Sequence, residues 1–120
     1  MMIGAATVFT VRNVAASIDY YRLTLGFAVT FEWGEPITYA CLCRDEVNLH
    51  LMSAAQTERA PGQGGLCVFV NDVDVLYAEL AERGATILKP PQDYPYGMRD
   101  FDVLDPDGNH ITFGMQSLPD

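Results

Sequence analysis

Basic side chains are scarce in this chain. Seven Lys and Arg stand against sixteen Asp and Glu, a formal net charge of −9 at pH 7. That balance argues against a nucleic-acid partner, whose phosphates need a basic patch. It permits a cationic ligand, and it also serves plain solubility. Cysteine is sparse too. Three residues, an odd number, suit a reducing cytoplasm better than a disulfide framework. No apolar run is long enough to cross a bilayer, and the opening MMIGAATVF lacks the basic region and cleavage pattern of a signal peptide. A Gly-rich phosphate loop, a nucleophile elbow and a supportable Ser-His-Asp spacing are all missing. These gaps fit a cytoplasmic protein, and they weaken an enzyme reading without removing it.

What is present begins with size. The chain has 120 residues, 49% of them hydrophobic, which is enough for one domain, 1–120, with an ordinary core. The clearest local signal is Met98–Met115. Asp105-Pro106-Asp107-Gly108 places a turn residue at each position that demands one. Phe101 and Val103 alternate before it, and Ile111 and Phe113 alternate after it, the period of half-buried strands. A three-residue loop ending in a Gly bulge pairs Asp105 with Asn109. Val103 then faces Ile111 and Phe101 faces Phe113 on the dry side, while Asp102 and Thr112 share the other.

Upstream, Ala6–Val11 alternates as a strand. Asn13 offers a helix N-cap, and Val14, Ile18, Tyr21 and Leu25 keep helical spacing until Gly26. Three short strands follow, over Phe27–Phe31, Ile37–Cys43 and Val47–Met52. A polar, Gly- and Pro-bearing linker covers about 54–64. The pattern then restarts: Val70 falls on Val11, Asp72 on Asn13, Val73 on Val14 and Gly84 on Gly26. Pro90–Gly97 reads as a loop. The chain is thus a repeat of about sixty residues, each half a βαβββ unit, with modules at about 5–53 and 65–116.

This pattern resembles the vicinal oxygen chelate superfamily of glyoxalases, extradiol dioxygenases and bleomycin-resistance proteins. The resemblance rests on Val11-Arg12-Asn13-Val14 with Ser17 and Tyr20-Tyr21, on Leu25-Gly26-Phe27, on Val70-Asn71-Asp72-Val73, and on the Asp105–Asn109 turn. It implies an α+β fold in which two βαβββ modules form cupped mixed sheets around a cavity, and a homodimer. In metal-dependent members the ligands would fall at Ala6, His50, Gly65 and Thr112. Only His50 is a good donor, and a catalytic metal commonly takes three protein ligands. The usual metal site therefore reads as lost, and no cofactor is expected.

The remaining candidates are ligand-binding residues: Trp33, His50, Tyr96, Asp102 and Thr112. His50 shares a strand row with Asn48 and Met52, and the register carried over from the second hairpin sets it with Ala40 and Leu42. Because the repeat superimposes His50 on Thr112, both should look into one cup with Asp102, with Trp33 and Tyr96 at its rim. Asp102, with Asp100, supplies negative charge for a cationic group, and the two rings can stack on a flat one. Cys41 and Cys43 read as buried small hydrophobes, and His110, next to the turn, as exposed. The expected function is that of a metal-free, bleomycin-resistance-like protein that sequesters an antibiotic-like cationic or aromatic molecule. Two rivals are a lyase, isomerase or dioxygenase of the same superfamily centred on His50, and a dimeric interaction module with a vestigial cavity.

Overall fold

The computed structural model describes residues 1–117. The first module runs β1 (Thr7–Val11), α1 (Val14–Asp19), β2 (Ala28–Trp33), β3 (Tyr39–Arg44) and β4 (Val47–Ser53). The second runs β5 (Gly65–Phe69), α2 (Val73–Glu82), β6 (Thr86–Asp93), β7 (Met98–Leu104) and β8 (His110–Gln116). Each module makes its own four-stranded mixed sheet, ordered β1-β4-β3-β2 and β5-β8-β7-β6. Each sheet opens with a parallel pair, β1 with β4 or β5 with β8, and continues antiparallel. The βαβββ repeat read from the sequence is the architecture.

Both helices start as their caps dictate. The Asn13 side chain accepts from the Ala16 N–H at 3.0 Å, and Asp72 accepts from Val75 N–H at 3.1 Å, satisfying donors that have no partner inside the helix. The α-helical part of α1 is shorter than the spacing predicts. At Tyr20–Thr24 the turn widens to a π-helix, and the hydroxyls of two consecutive tyrosines both reach the other module. Tyr20 donates to the Leu104 carbonyl at 2.8 Å and Tyr21 to the Asp105 carboxylate at 2.9 Å. Gly26 follows at φ +77°, and a side chain there would meet the Arg44 guanidinium at 2.7 Å.

One face of each sheet packs on the helices in a shared core. Phe9, Val11, Ala40, Leu42, Leu49 and Leu51 belong to it from the first sheet. Val68, Phe101, Val103, Ile111 and Phe113 belong to it from the second. The Asp105–Asn109 turn clasps the modules together. Asp105 accepts from the N–H groups of Asp107 and Asn109 and from the Asn109 amide. That amide also donates to the Thr10 carbonyl at 3.1 Å and accepts from Gly64 N–H at 2.8 Å. The motif that is most conspicuous in the sequence is therefore structural.

Two expectations change. Pro90–Gly97 is not wholly loop: β6 continues through Pro90 and Pro91 to Asp93. This is tolerable because β6 is an edge strand and its ladder is irregular there, so the missing donors cost nothing. His50 does not share a face with Ala40 and Leu42; it lies directly opposite Cys41, while Ala40 and Leu42 pair with Leu51 and Leu49 in the core. The first hairpin has a shorter connection, with four residues between Cys43 and Asn48 against five between Leu104 and His110. One residue fewer turns β3 over.

Candidate functional site

The faces turned away from the core carry the chemistry. On the first sheet one row reads Val8, His50, Cys41, Phe31 across four strands, and the next reads Thr10, Met52, Tyr39, Trp33. On the second sheet the matching rows read Cys67, Thr112, Asp102, Lys89 and Phe69, Gly114, Asp100, Gln92. His50 and Thr112 are equivalent positions, as the repeat implies. Bulges complete the correspondence. An extra residue in β2 between Val29 and Phe31, and another in β6 between Ile87 and Lys89, each invert the alternation. Val29 and Ile87 pack against the core, whereas Phe31 and Lys89 turn outward.

The two surfaces differ in character. The first is aromatic. Trp33 is 66% and Phe31 50% exposed, large rings left uncovered in the middle and at the end of a strand. Behind them the Tyr39 hydroxyl lies 2.7 Å from His50 Nδ1, the rings edge-on at 5.4 Å. Burial raises the Tyr39 pKa, with a smaller contribution from Cys41, so the phenol keeps its proton and donates. A phenol that donates to Nδ1 selects the imidazole tautomer with its N–H at Nε2, where it can meet a ligand acceptor.

The second surface is charged and internally satisfied. Asp102 accepts from Thr112 Oγ1 at 2.8 Å, and lies 3.5 Å from Lys89 Nζ and 3.3 Å from His110 Nε2. Asp100 takes Lys89 at 2.8 Å and the Tyr96 hydroxyl at 3.2 Å. Tyr94 and Tyr96 stack with centroids 5.2 Å apart, and Lys89 Nζ also bonds the Tyr94 hydroxyl. Burial alone would lower the Lys89 pKa; the bonds to Asp100 and Tyr94 and the charge of Asp102 outweigh it and leave the ammonium pKa raised. Cys67, though exposed, is partly desolvated, and this and then the charges of Asp100 and Asp102 push its thiol pKa up, away from a thiolate.

The candidates therefore fall into two groups. Asp102 and Thr112 touch, and Tyr96 joins them through Asp100 and Lys89; His50 and Trp33 belong to the other sheet. Trp33 ends β2, and Tyr96 lies in the β6–β7 turn. Cys41 and Cys43 are half-buried and Cys67 is exposed, so none is a core hydrophobe. His110 is half-buried at Asp102 rather than free in solvent. Sequence reading missed Lys89, Phe31, Tyr39 and Tyr94. The first two are hidden by the bulges, since alternation from Ile87 or Val29 assigns them to the core. Tyr39 was recoverable, two residues before Cys41 in the same row.

A catalytic metal does not fit the residues present. Ala6 and Gly65 have no donor side chain, Thr112 is engaged with Asp102, and His50 Nδ1 with Tyr39. Among the described residues no three His, Cys, Asp or Glu come together as a metal-holding group.

A duplicated βαβββ unit, two mixed sheets with polar and aromatic outward faces and an Asp-Pro-Asp-Gly-Asn clasp define an α+β protein of the paired-module class. The chain belongs to the Glyoxalase/Bleomycin resistance protein/Dioxygenase superfamily, whose family model matches residues 5–113. Solved structures agree. The bleomycin-binding protein of bleomycin-producing Streptomyces verticillus, in complex with copper(II)-bleomycin, is 27% identical, with TM-score 0.79 over 99% of this chain and 98% of that one. TnmS3, an antibiotic-binding protein from Streptomyces sp. CB03234, is 28% identical, with TM-score 0.77 over 98% and 99%. A superfamily member from Sphaerobacter thermophilus is 27% identical, with TM-score 0.82 over 97% and 98%. No protein of curated function matches significantly in sequence.

Proposed function

We propose that the protein binds an aromatic, positively charged small molecule and sequesters it unchanged, without a metal. The observation that carries this reading is the contrast between the outward faces of the two sheets: one uncovered and aromatic, with Trp33 and Phe31 beside the Tyr39–His50 pair, the other acidic, with Asp100 and Asp102. Flat rings stack on the first, and a cation suits the second. Donors for an electrophilic metal are missing, so the site is furnished for recognition rather than for bond making. Two similar proteins bind antibiotics, which makes an antibiotic the favoured ligand class and protection by sequestration the role. We further propose that the chain works as a homodimer, a second copy supplying the cover that each exposed face lacks.

A thermal-shift screen of cationic, neutral and anionic aromatic antibiotics tests the reading. Ligand-dependent stabilisation, with the compound recovered intact by mass spectrometry, is expected. Turnover of any compound after a divalent metal is added would instead establish the enzyme reading centred on His50.

A further inference from the structure

The 120 residues contain a single lysine, and the fold delivers it to the middle of the charged surface. Lys89 Nζ lies 2.8 Å from Asp100 Oδ1, 3.5 Å from Asp102 Oδ2 and 4.3 Å from the centre of the Tyr94 ring. The two carboxylates are largely buried, their side chains 10% and 13% exposed. The bulge at Leu88 is what turns this side chain outward; the equivalent bulge at Thr30 turns out Phe31. Carboxylates, an aromatic face and a phenol oxygen are what a receptor for an organic ammonium offers. Here the protein's own ammonium already fills them.

We infer that Lys89 is a tethered competitor: its ammonium sits in the cation subsite of the ligand site and has to withdraw before a ligand's cation can enter. This rests on the binding reading above and adds to it the residue that sets which charge the site accepts. Lysine suits the part, with a flexible four-carbon stem and a strongly hydrated head that is easily returned to water. Its strand suits it too. β6 is the free edge of the second sheet and breaks register on both sides of Lys89, so the stem can swing out without disturbing a ladder. A tether this short presents the competing ammonium at a high effective concentration, so a weak cation is refused while one with a good aromatic anchor is admitted.

Two probes of one shape test the inference: naphthylmethyl-trimethylammonium and its uncharged neopentyl isostere. By calorimetry, Lys89→Met is expected to bind the cation about tenfold more tightly than wild type, or better, with the isostere unchanged. Lys89→Arg, which keeps the charge, should restore the wild-type preference. A second readout needs no variant. Lys89 is the only lysine, so brief acetylation followed by peptide mass spectrometry reports its ammonium alone, apart from the chain terminus. Acetylation should be slow in the free protein and should accelerate as the cation is added. If both probes bind but Lys89→Met changes neither, or weakens the cation, the inference fails and the binding reading stands. Tighter binding of a naphthalene carboxylate to wild type than to Lys89→Met would make Lys89 a recruiter of anions, and would equally overturn it. Binding of neither probe to any form, with Lys89 acetylated at one constant rate, would remove both readings.

Discussion

Arg44 and Glu79 join the two modules side by side, the guanidinium meeting both carboxylate oxygens at 2.9 Å. The fork-to-fork geometry is the strongest form of such a pair. It holds the end of β3 against α2, above a cleft of about 600 Å³ between the modules. The hydrogen bond from Arg44 depresses the Glu79 pKa below the usual glutamate range, against an opposing contribution from burial. A carboxylate with a depressed folded pKa contributes stability that is present above its unfolded pKa and lost as pH falls through the folded one. Wild type should therefore exceed Glu79→Gln in urea midpoint at neutral pH, and the gap should close as the pH falls through and below the ordinary glutamate range. A gap that stays constant with pH would show that the pair adds nothing beyond packing.

Trp33 is the chain's only tryptophan, and it lies on the surface assigned to the ligand. Its emission should shift to the blue or be quenched on titration with an aromatic ligand. Trp33→Ala should weaken that ligand by roughly tenfold, the scale of one lost stacking contact of about 1 kcal/mol or slightly more. Unchanged fluorescence at saturation would move the ligand elsewhere.

Asp102→Asn should weaken cationic aromatic ligands by roughly tenfold or more, because a charge-assisted contact contributes about 1.5–3 kcal/mol. Thr112→Val removes only a neutral donor to Asp102 and should cost less. Equal binding of a cationic and an anionic panel to wild type and to both variants would refute the charge argument.

Purified protein should carry no stoichiometric zinc, nickel, manganese or iron. Elemental analysis checks this directly. About one tightly held ion per chain, lost in His50→Ala, would overturn the metal-free reading.

Assembly is the last expectation. Phe31, Trp33 and Phe69 lie uncovered on the outward faces, and β2 and β6 are sheet-edge strands, both of which a second copy can cover. Light scattering at micromolar concentration should give twice the chain mass, and a monomer would leave the faces without a lid.

Much of the fold was legible because short-range chemistry fixes it. Asn13 and Asp72 cap their helices locally, and the Asp105–Gly108 turn sets the register of β7 and β8 by itself. Asp102 could thus be placed opposite Thr112 from the sequence alone. The site was less legible because its residues depend on parity. A connection one residue shorter reassigned His50 from Ala40 to Cys41, and two single-residue bulges moved Phe31 and Lys89 from the core side to the outward side. Neither bulged residue, Thr30 or Leu88, is a glycine; pairing with the neighbouring strand produces the bulges. How Asp102 is occupied was also hidden, since Lys89 is thirteen positions away and on another strand.

The interleaving of outward and core positions has a consequence for how such a protein can diversify. Along β3 and β4, Tyr39, Cys41, His50 and Met52 alternate one for one with Ala40, Leu42, Leu49 and Leu51. A point substitution at an outward position changes the chemistry of the exposed face and leaves the interior untouched. A deletion within the same strand exchanges the two sets and drives polar groups inward. Because the unit is duplicated, one copy can also be rewritten while the other keeps its chemistry, as Phe31 and Lys89 already do from the same address. The chemistry of either outward face can thus drift by substitution, with the length of every strand held fixed.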